Sequence, residues 1–141
     1  MKKVVFLDAE TMDLPSLDTT ALDSLNADVT LYQQTQHKDV AERIHNADAV
    51  LVNKVVLSAD DLQRARKLRY IGVTATGMNN IDHDYCQQAG IIVQNVEGYG
   101  TDSVAQHTLT LALNLATNFV AYQHDVRNQA WSASSHFCLL N

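Results

Sequence analysis

The chain has 141 residues, the size of one average domain, and such a domain buries about two thirds of its unfolded surface without help from a metal or disulfide. Its composition, 46% hydrophobic and 18% charged, is that of a globular protein, and a net charge of −6 argues against the basic face that nucleic acid demands. Two cysteines, Cys86 and Cys138, make no disulfide framework, and no apolar run approaches the ~20 residues of a membrane span.

From the amino terminus, Lys2 and Lys3 precede only four apolar residues before Asp8, so no signal peptide is read and a cytoplasmic protein is expected. Residues 4–7 form a buried strand by their unbroken apolar character. Residues 14–25 read as a short helix with Pro15 near its start, where proline costs least. Residues 29–32 are a second strand. A helix over 40–47 follows, with Asp39 placed to cap it, and then a third strand over 49–52. Ser58 and Asp61 have capping-box spacing, which starts a helix over 59–65. The basic run Arg64, Arg66, Lys67 and Arg69 fans over several faces of that helix end and is read as solvated. A fourth strand, 70–73, leads to a helix over 81–88 closed by Gly90, and then to a fifth strand, 91–93. Strands alternating with helices imply a parallel sheet covered on both faces, with right-handed crossovers. The expected fold is α/β, a flavodoxin-like five-stranded sheet in the order 2-1-3-4-5 over residues 1–100.

The character then changes. Ser103 and Gln106 again have capping-box spacing, and one long helix without proline or glycine is expected over 103–128. Val104, Thr108, Leu111, Leu115 and Phe119 step along one face, while Leu109, Ala112, Leu113, Ala116 and Val120 form another. A helix apolar nearly all round wants cover from two bodies. The tail, 131–141, with Trp131, Phe137, Leu139 and Leu140, reads as part of a core that these residues alone do not complete. Residues 101–141 thus stand apart from the five-stranded domain, as a helix and a tail that need more cover than that domain provides.

In a doubly wound sheet, ligands bind beyond the carboxyl ends of the strands. That rule selects the loops 8–10, 53–54, 74–80 and 95–100, together with the helix start at Thr101. The loop 74–80, with Thr76 and Gly77, is small, polar and followed by a helix, so its backbone N–H groups suit a carboxylate or phosphate. Gly77 permits positive φ and close approach of a ligand. Gly98-Tyr99-Gly100-Thr101-Asp102-Ser103 resembles G-x-G-x-x-G only in part, and is read as a turn and helix start. His107 lies early in the long helix, next to the ligand end, and His83 lies in the helix over 81–88, but no histidine pair has the spacing of a metal site.

Three stretches together resemble one family. Residues 67–82 (KLRYIGVTATGMNNID), residues 90–107 (GIIVQNVEGYGTDSVAQH) and Val52-Asn53-Lys54 are similar to the D-isomer-specific 2-hydroxyacid dehydrogenases, with the glycerate (hydroxypyruvate) dehydrogenase branch nearest. The resemblance covers essentially the whole chain. It implies a flavodoxin-like substrate domain built from both chain ends, a Rossmann domain inserted between them, residues 101–141 as the interdomain helix and the start of that truncated nucleotide-binding domain, and NAD or NADP as cofactor. It also implies that backbone N–H groups of Thr76 and Gly77 hold the substrate carboxylate. Thr76 and Val104 would lie near the nicotinamide, and Lys54 would line the pocket. The family's glycine fingerprint and its catalytic arginine, glutamate and histidine lie further along than these residues. His107 and Arg127 do not match them. No catalytic residue, bound cofactor or turnover is therefore expected of this stretch by itself, which is read as a truncated amino-terminal portion. Its exposed helix is expected to pair in a homodimer through residues 103–128. Two other readings share the fold: a receiver-like regulatory module, suggested by Asp8 and Glu10 but opposed by Asn53-Lys54 after the third strand, and a scaffold that pairs through the long helix.

Overall fold

The structure is a computed structural model and describes residues 1–13 and 20–135. It divides into two compact units, Met1–Glu97 and Gly98–Asn141. In the first unit the order is β1 (Lys2–Phe6), a 3₁₀ turn (Ala9–Thr11), α1 (Thr20–Asp23), β2 (Ala27–Leu31), α2 (His37–Ile44), β3 (Ala49–Val52), α3 (Ala59–Leu62), β4 (Tyr70–Val73), α4 (His83–Ala89) and β5 (Ile92–Gln94). All pairings are parallel, in the order β2-β1-β3-β4-β5. This is the expected order.

Alternation along each strand sorts the side chains to two faces. The register aligns Thr30, Val5, Val50, Ile71 and Val93 in one row across the sheet. Val5, Val50 and Ile71 belong to the main core together with Val40 and Ile44 of α2, Leu62 of α3 and Cys86 of α4. Helices α2 to α4 therefore cover this face. Leu57, Leu68, Val50 and Ile71 are fully buried there, and each such side chain contributes roughly 1.5–3 kcal/mol on burial. The adjacent row, on the opposite face, runs Val29, Val4, Ala49, Tyr70, Ile92. It is buried at Val4 and 60% exposed at Ile92 on the edge strand.

Local signals set the element ends. Ser58 and Asp61 form the expected reciprocal capping box of α3. Asp82 caps α4 by accepting from Tyr85 N–H at 2.9 Å, and Gly90 closes it at φ 69°, a conformation that glycine adopts without strain. Some expectations are corrected. Helix α2 begins at His37, with Gln36 rather than Asp39 at the cap; Asp39 sits in the first turn, where its charge still favours the helix dipole. Of the helix expected over 14–25, residues 14–19, with Pro15, lie outside the described residues.

In the second unit, α5 (Thr101–Ala116) and α6 (Phe119–Arg127) replace the single helix expected over 103–128, and a 3₁₀ turn (Trp131–Ala133) follows. The break is at Asn118, which takes a left-handed conformation at φ 51°. Asparagine is among the few residues besides glycine that tolerate it. Ahead of it, Thr117 Oγ1 donates back to Leu113 O at 2.7 Å, a bond that competes with regular helix continuation. The Ser103–Gln106 box is also corrected: α5 starts two residues earlier, with Gly100 at the cap and no side-chain capping bond. Neither helix has a buried residue among those described. Phe137, Cys138, Leu139 and Leu140 lie outside the described residues.

Two residues tie down the ends of the sheet. At the amino edge, Asp48 accepts from Lys3 N–H at 2.8 Å and Lys2 Nζ at 3.1 Å. These bonds, the backbone one foremost, hold its carboxyl below the ordinary carboxylate value. A lowered folded value stabilises the fold above the unfolded value of about 4, and that contribution disappears as pH falls through the lowered one. Asp48→Asn is expected to flatten the acid limb of a urea-midpoint-against-pH curve; an unchanged limb would refute the assignment.

At the carboxyl edge, Asp8 is 4% exposed. Its Oδ1 accepts from Asn53 N–H at 2.8 Å, and its Oδ2 from Lys54 N–H at 2.6 Å and Val55 N–H at 3.0 Å. An asparagine in its place must turn an NH₂ toward at least one of these donors. Asp8→Asn is expected to cost about 2–4 kcal/mol of unfolding free energy, by denaturant titration; a loss below about 1 kcal/mol would mean the clamp is dispensable.

Candidate functional site

The carboxyl ends of the strands present the selected loops side by side, and hydrogen bonds join them in sequence. Asp8 holds the turn after β3, as above. Thr11 Oγ1 donates to Asp8 O at 2.7 Å and accepts from Asn53 Nδ2 at 3.0 Å. The Oδ1 of Asn53 is buried without a partner among the described residues. Asn80 Nδ2 then donates to Val55 O at 2.9 Å, and a parallel bridge joins Leu57 to Ile81. The turn after β3 is thereby linked to the loop after β4. That loop is linked in turn to the segment after β5: Asn95 Nδ2 donates to Thr76 O at 2.7 Å, Thr76 Oγ1 donates to Val96 O at 3.1 Å, and Val96 N–H donates to Ala75 O at 3.2 Å. His83 Nε2 meets Met78 O at 3.1 Å.

Within this frame the N–H groups of Thr76, Gly77, Met78 and Asn79 donate to no acceptor among the described residues. Thr76 and Gly77 are exposed. Gly77 does not take positive φ, which corrects the conformational role expected of it. A Cβ built on Gly77 would make only ordinary contact, with Asn79 Oδ1 at 3.4 Å. A short run of unpaired amides following a strand is an anion-binding arrangement in chemical terms.

The other expected residues fall as follows. Lys54 has an exposed side chain, while its N–H is held by Asp8. Lys54, Thr76 and Gly77 share the first unit and its carboxyl edge. Val104 lies on α5 in the second unit and is 66% exposed. His107 is exposed on α5, and Arg127 ends α6. Among the described residues no three histidine, cysteine or acidic side chains gather as for a metal. Burial, and after it the charge of Asp82, raises the Cys86 thiol above its ordinary value, so this cysteine is an inert core group. Asp8 does not offer the open acidic cluster a receiver needs, because both its oxygens face backbone amides. Gly98 turns the chain at φ 74° into α5. No helix among the described residues is long and apolar enough to cross a membrane.

Sequence reading did not single out Asn80, Asn95 or the clamp made by Asp8. Each is an Asx residue just beyond a strand or just ahead of a helix, the kind of position where such side chains bond backbone. That signal says only that a backbone partner exists nearby in sequence, and here the partners lie 19 to 47 residues away.

Comparison with known proteins agrees with this architecture. Residues 4–137 match the family described as D-isomer specific 2-hydroxyacid dehydrogenase, catalytic domain. The chain is 34% identical to a glycerate dehydrogenase of Methylorubrum extorquens, covering 97% of this chain and 43% of that protein. It is 30% identical to a hydroxypyruvate reductase of Blautia hydrogenotrophica, covering 96% and 43%. A D-lactate dehydrogenase structure from Aquifex aeolicus, complexed with NAD and lactic acid, superposes with a TM-score of 0.78 at 25% identity, over 97% of this chain and 40% of that one. The chain thus spans about two fifths of the length of these relatives. On the match over nearly its whole length, the chain belongs to the D-isomer specific 2-hydroxyacid dehydrogenase family.

Proposed function

We propose that the chain is the substrate-domain portion of an NAD(P)-dependent oxidoreductase interconverting D-2-hydroxy acids and 2-keto acids. The observation that carries this reading is the set of unpaired N–H groups at Thr76 to Asn79, beyond an interior strand, in a chain of this family. Backbone amides fixed by their neighbours suit a carboxylate because they offer partial positive charge without a side chain to reorganise. In this reading Thr76 and Gly77 hold the carboxylate through backbone N–H, and Lys54 lines the pocket and adds positive charge. The relatives called glycerate dehydrogenase and hydroxypyruvate reductase make glycerate and hydroxypyruvate the pair to test first.

The cofactor is NAD or NADP, and when bound its nicotinamide supplies or accepts the hydride. The residues present fit only the ring. The Thr76 hydroxyl already donates to Val96 O, and Val104 offers an exposed isopropyl group. Each side chain taken by itself suits the border of a flat ring, and neither can hold a pyrophosphate. The resemblance assigns the acid/base and the substrate's countercharge to no residue among these 141, and in this reading the chain alone carries out no turnover.

Titration of the ¹⁵N-labelled chain with hydroxypyruvate is expected to move the amide signals of Thr76 to Asn79 first, with no consumption of added NADH. Shifts centred elsewhere would sink the carboxylate assignment, and steady NADH oxidation would sink the assignment of turnover.

A second reading concerns assembly. Leu109, Leu111, Leu113, Leu115, Phe119 and Val120 are each more than half exposed. The hydroxyls of Thr108, Thr110 and Thr117 donate to carbonyls of their own helix. The helix surface therefore combines unsatisfied apolar area with satisfied polar groups, which favours self-association. A homodimer through the segment 103–128 is expected, read as twice the chain mass in native mass spectrometry. Leu113→Lys should shift it toward monomer; a wild-type monomer at tens of micromolar, on the order of ordinary assay concentrations, would refute the pairing.

A further inference from the structure

We propose that Asn95 is a positioning residue for the carboxylate-binding peptide: its side-chain amide locks the peptide plane between Thr76 and Gly77 so that the Gly77 N–H faces the ligand. The inference rests on the substrate reading above and goes one step beyond it.

The argument starts from the peptide plane. Among the described residues every peptide is trans, so the Thr76 carbonyl and the Gly77 N–H, which share one plane, point in opposite directions. Asn95 Nδ2 grips the carbonyl at 2.7 Å, and the Gly77 N–H on the other side has no acceptor among the described residues. Fixing one side fixes the other. A hydrogen bond to the carbonyl also polarises the amide and strengthens its N–H as a donor.

Without that grip the plane is free to turn. A peptide flip changes ψ of Thr76 and φ of Gly77, and carries the N–H to the opposite side. Glycine accepts the positive φ that results, which an L-residue resists. Gly77 is not in that region in the folded chain, so something else must hold the unflipped form. Asn95 is the side chain in contact with the carbonyl that would move. Its own segment is anchored independently, by Val96 N–H to Ala75 O at 3.2 Å and by Thr76 Oγ1 to Val96 O at 3.1 Å. The anchor is therefore a small closed unit within one body of the chain. It joins the end of β5 to the loop after β4.

The test uses the whole 141-residue chain, labelled with ¹³C and ¹⁵N, and hydroxypyruvate as the probe. In the ligand-free state, Asn95→Ala should move the Thr76 carbonyl ¹³C and Gly77 ¹⁵N signals and leave those of β1, β3 and the Asp8 clamp in place. On titration, the variant should bind hydroxypyruvate about tenfold more weakly than wild type, the loss of one organising hydrogen bond. Adding Gly77→Ala to that variant keeps the N–H but disfavours the flipped plane, and should restore part of the loss. Equal affinity in wild type and Asn95→Ala overturns the positioning role alone. Unmoved Thr76 and Gly77 signals in the ligand-free variant do the same. Wild-type chain whose Gly77 amide ignores hydroxypyruvate overturns the substrate reading itself, and the proposal with it.

Discussion

The carboxyl edge of the sheet depends on the Asp8 carboxylate. A carboxylate at 4% exposure is tolerable only when its lone pairs are filled, and three successive backbone amides fill them. The dependence is mutual. The turn at residues 53–55 leaves the ladder at the end of β3, so those N–H groups lose their strand partners and take the Asp8 carboxylate instead. One side chain just beyond β1 thus completes the backbone of a turn that follows β3. From that turn the order passes outward through Asn80 to the loop after β4, and through Asn95 to the segment after β5.

The division of labour follows from this frame. Side-chain amides and carboxylates are taken up in holding loops, and the backbone N–H groups of residues 76–79 remain for an external acceptor. Two relatives in this family are named for glycerate and hydroxypyruvate, and each of those acids bears a carboxylate. The second unit obeys a different logic. Thr108, Thr110 and Thr117 turn their hydroxyls back on their own helix, and Leu109, Leu111, Leu113 and Leu115 are exposed. Such a surface satisfies those hydroxyls and leaves apolar area uncovered.

Much of the fold was legible residue by residue. Strands β3 and β4 read directly from Ala49-Val-Leu-Val52 and Tyr70-Ile-Gly-Val73, and Ser58 with Asp61 and Gly90 marked true helix ends. These signals are local, involving partners a few residues apart. The break at Asn118 was not legible, because apolar periodicity continues through Thr117 and Asn118 and a single left-handed residue leaves no trace in it. The start of α5 was misread for a related reason: Ser103 and Gln106 have the right spacing, but a cap is chosen by where the chain turns, and it turns at Gly98. The loop of the candidate site was visible as a small polar stretch after a strand. Its unpaired amides were not visible, since pairing depends on what lies across the sheet.

By itself the sequence determined the alternation of strands and helices, the parallel five-stranded order and the loop at Thr76 and Gly77, because hydrophobic period, capping spacing and crossover handedness act within short stretches of chain. Tertiary structure alone decided what Asp8, Asn80 and Asn95 do. Their partners are distant in sequence and adjacent only once strands β1, β3, β4 and β5 lie side by side. A hydrogen bond is specified by position in space to a few tenths of an ångström, and a one-dimensional pattern carries no such coordinate.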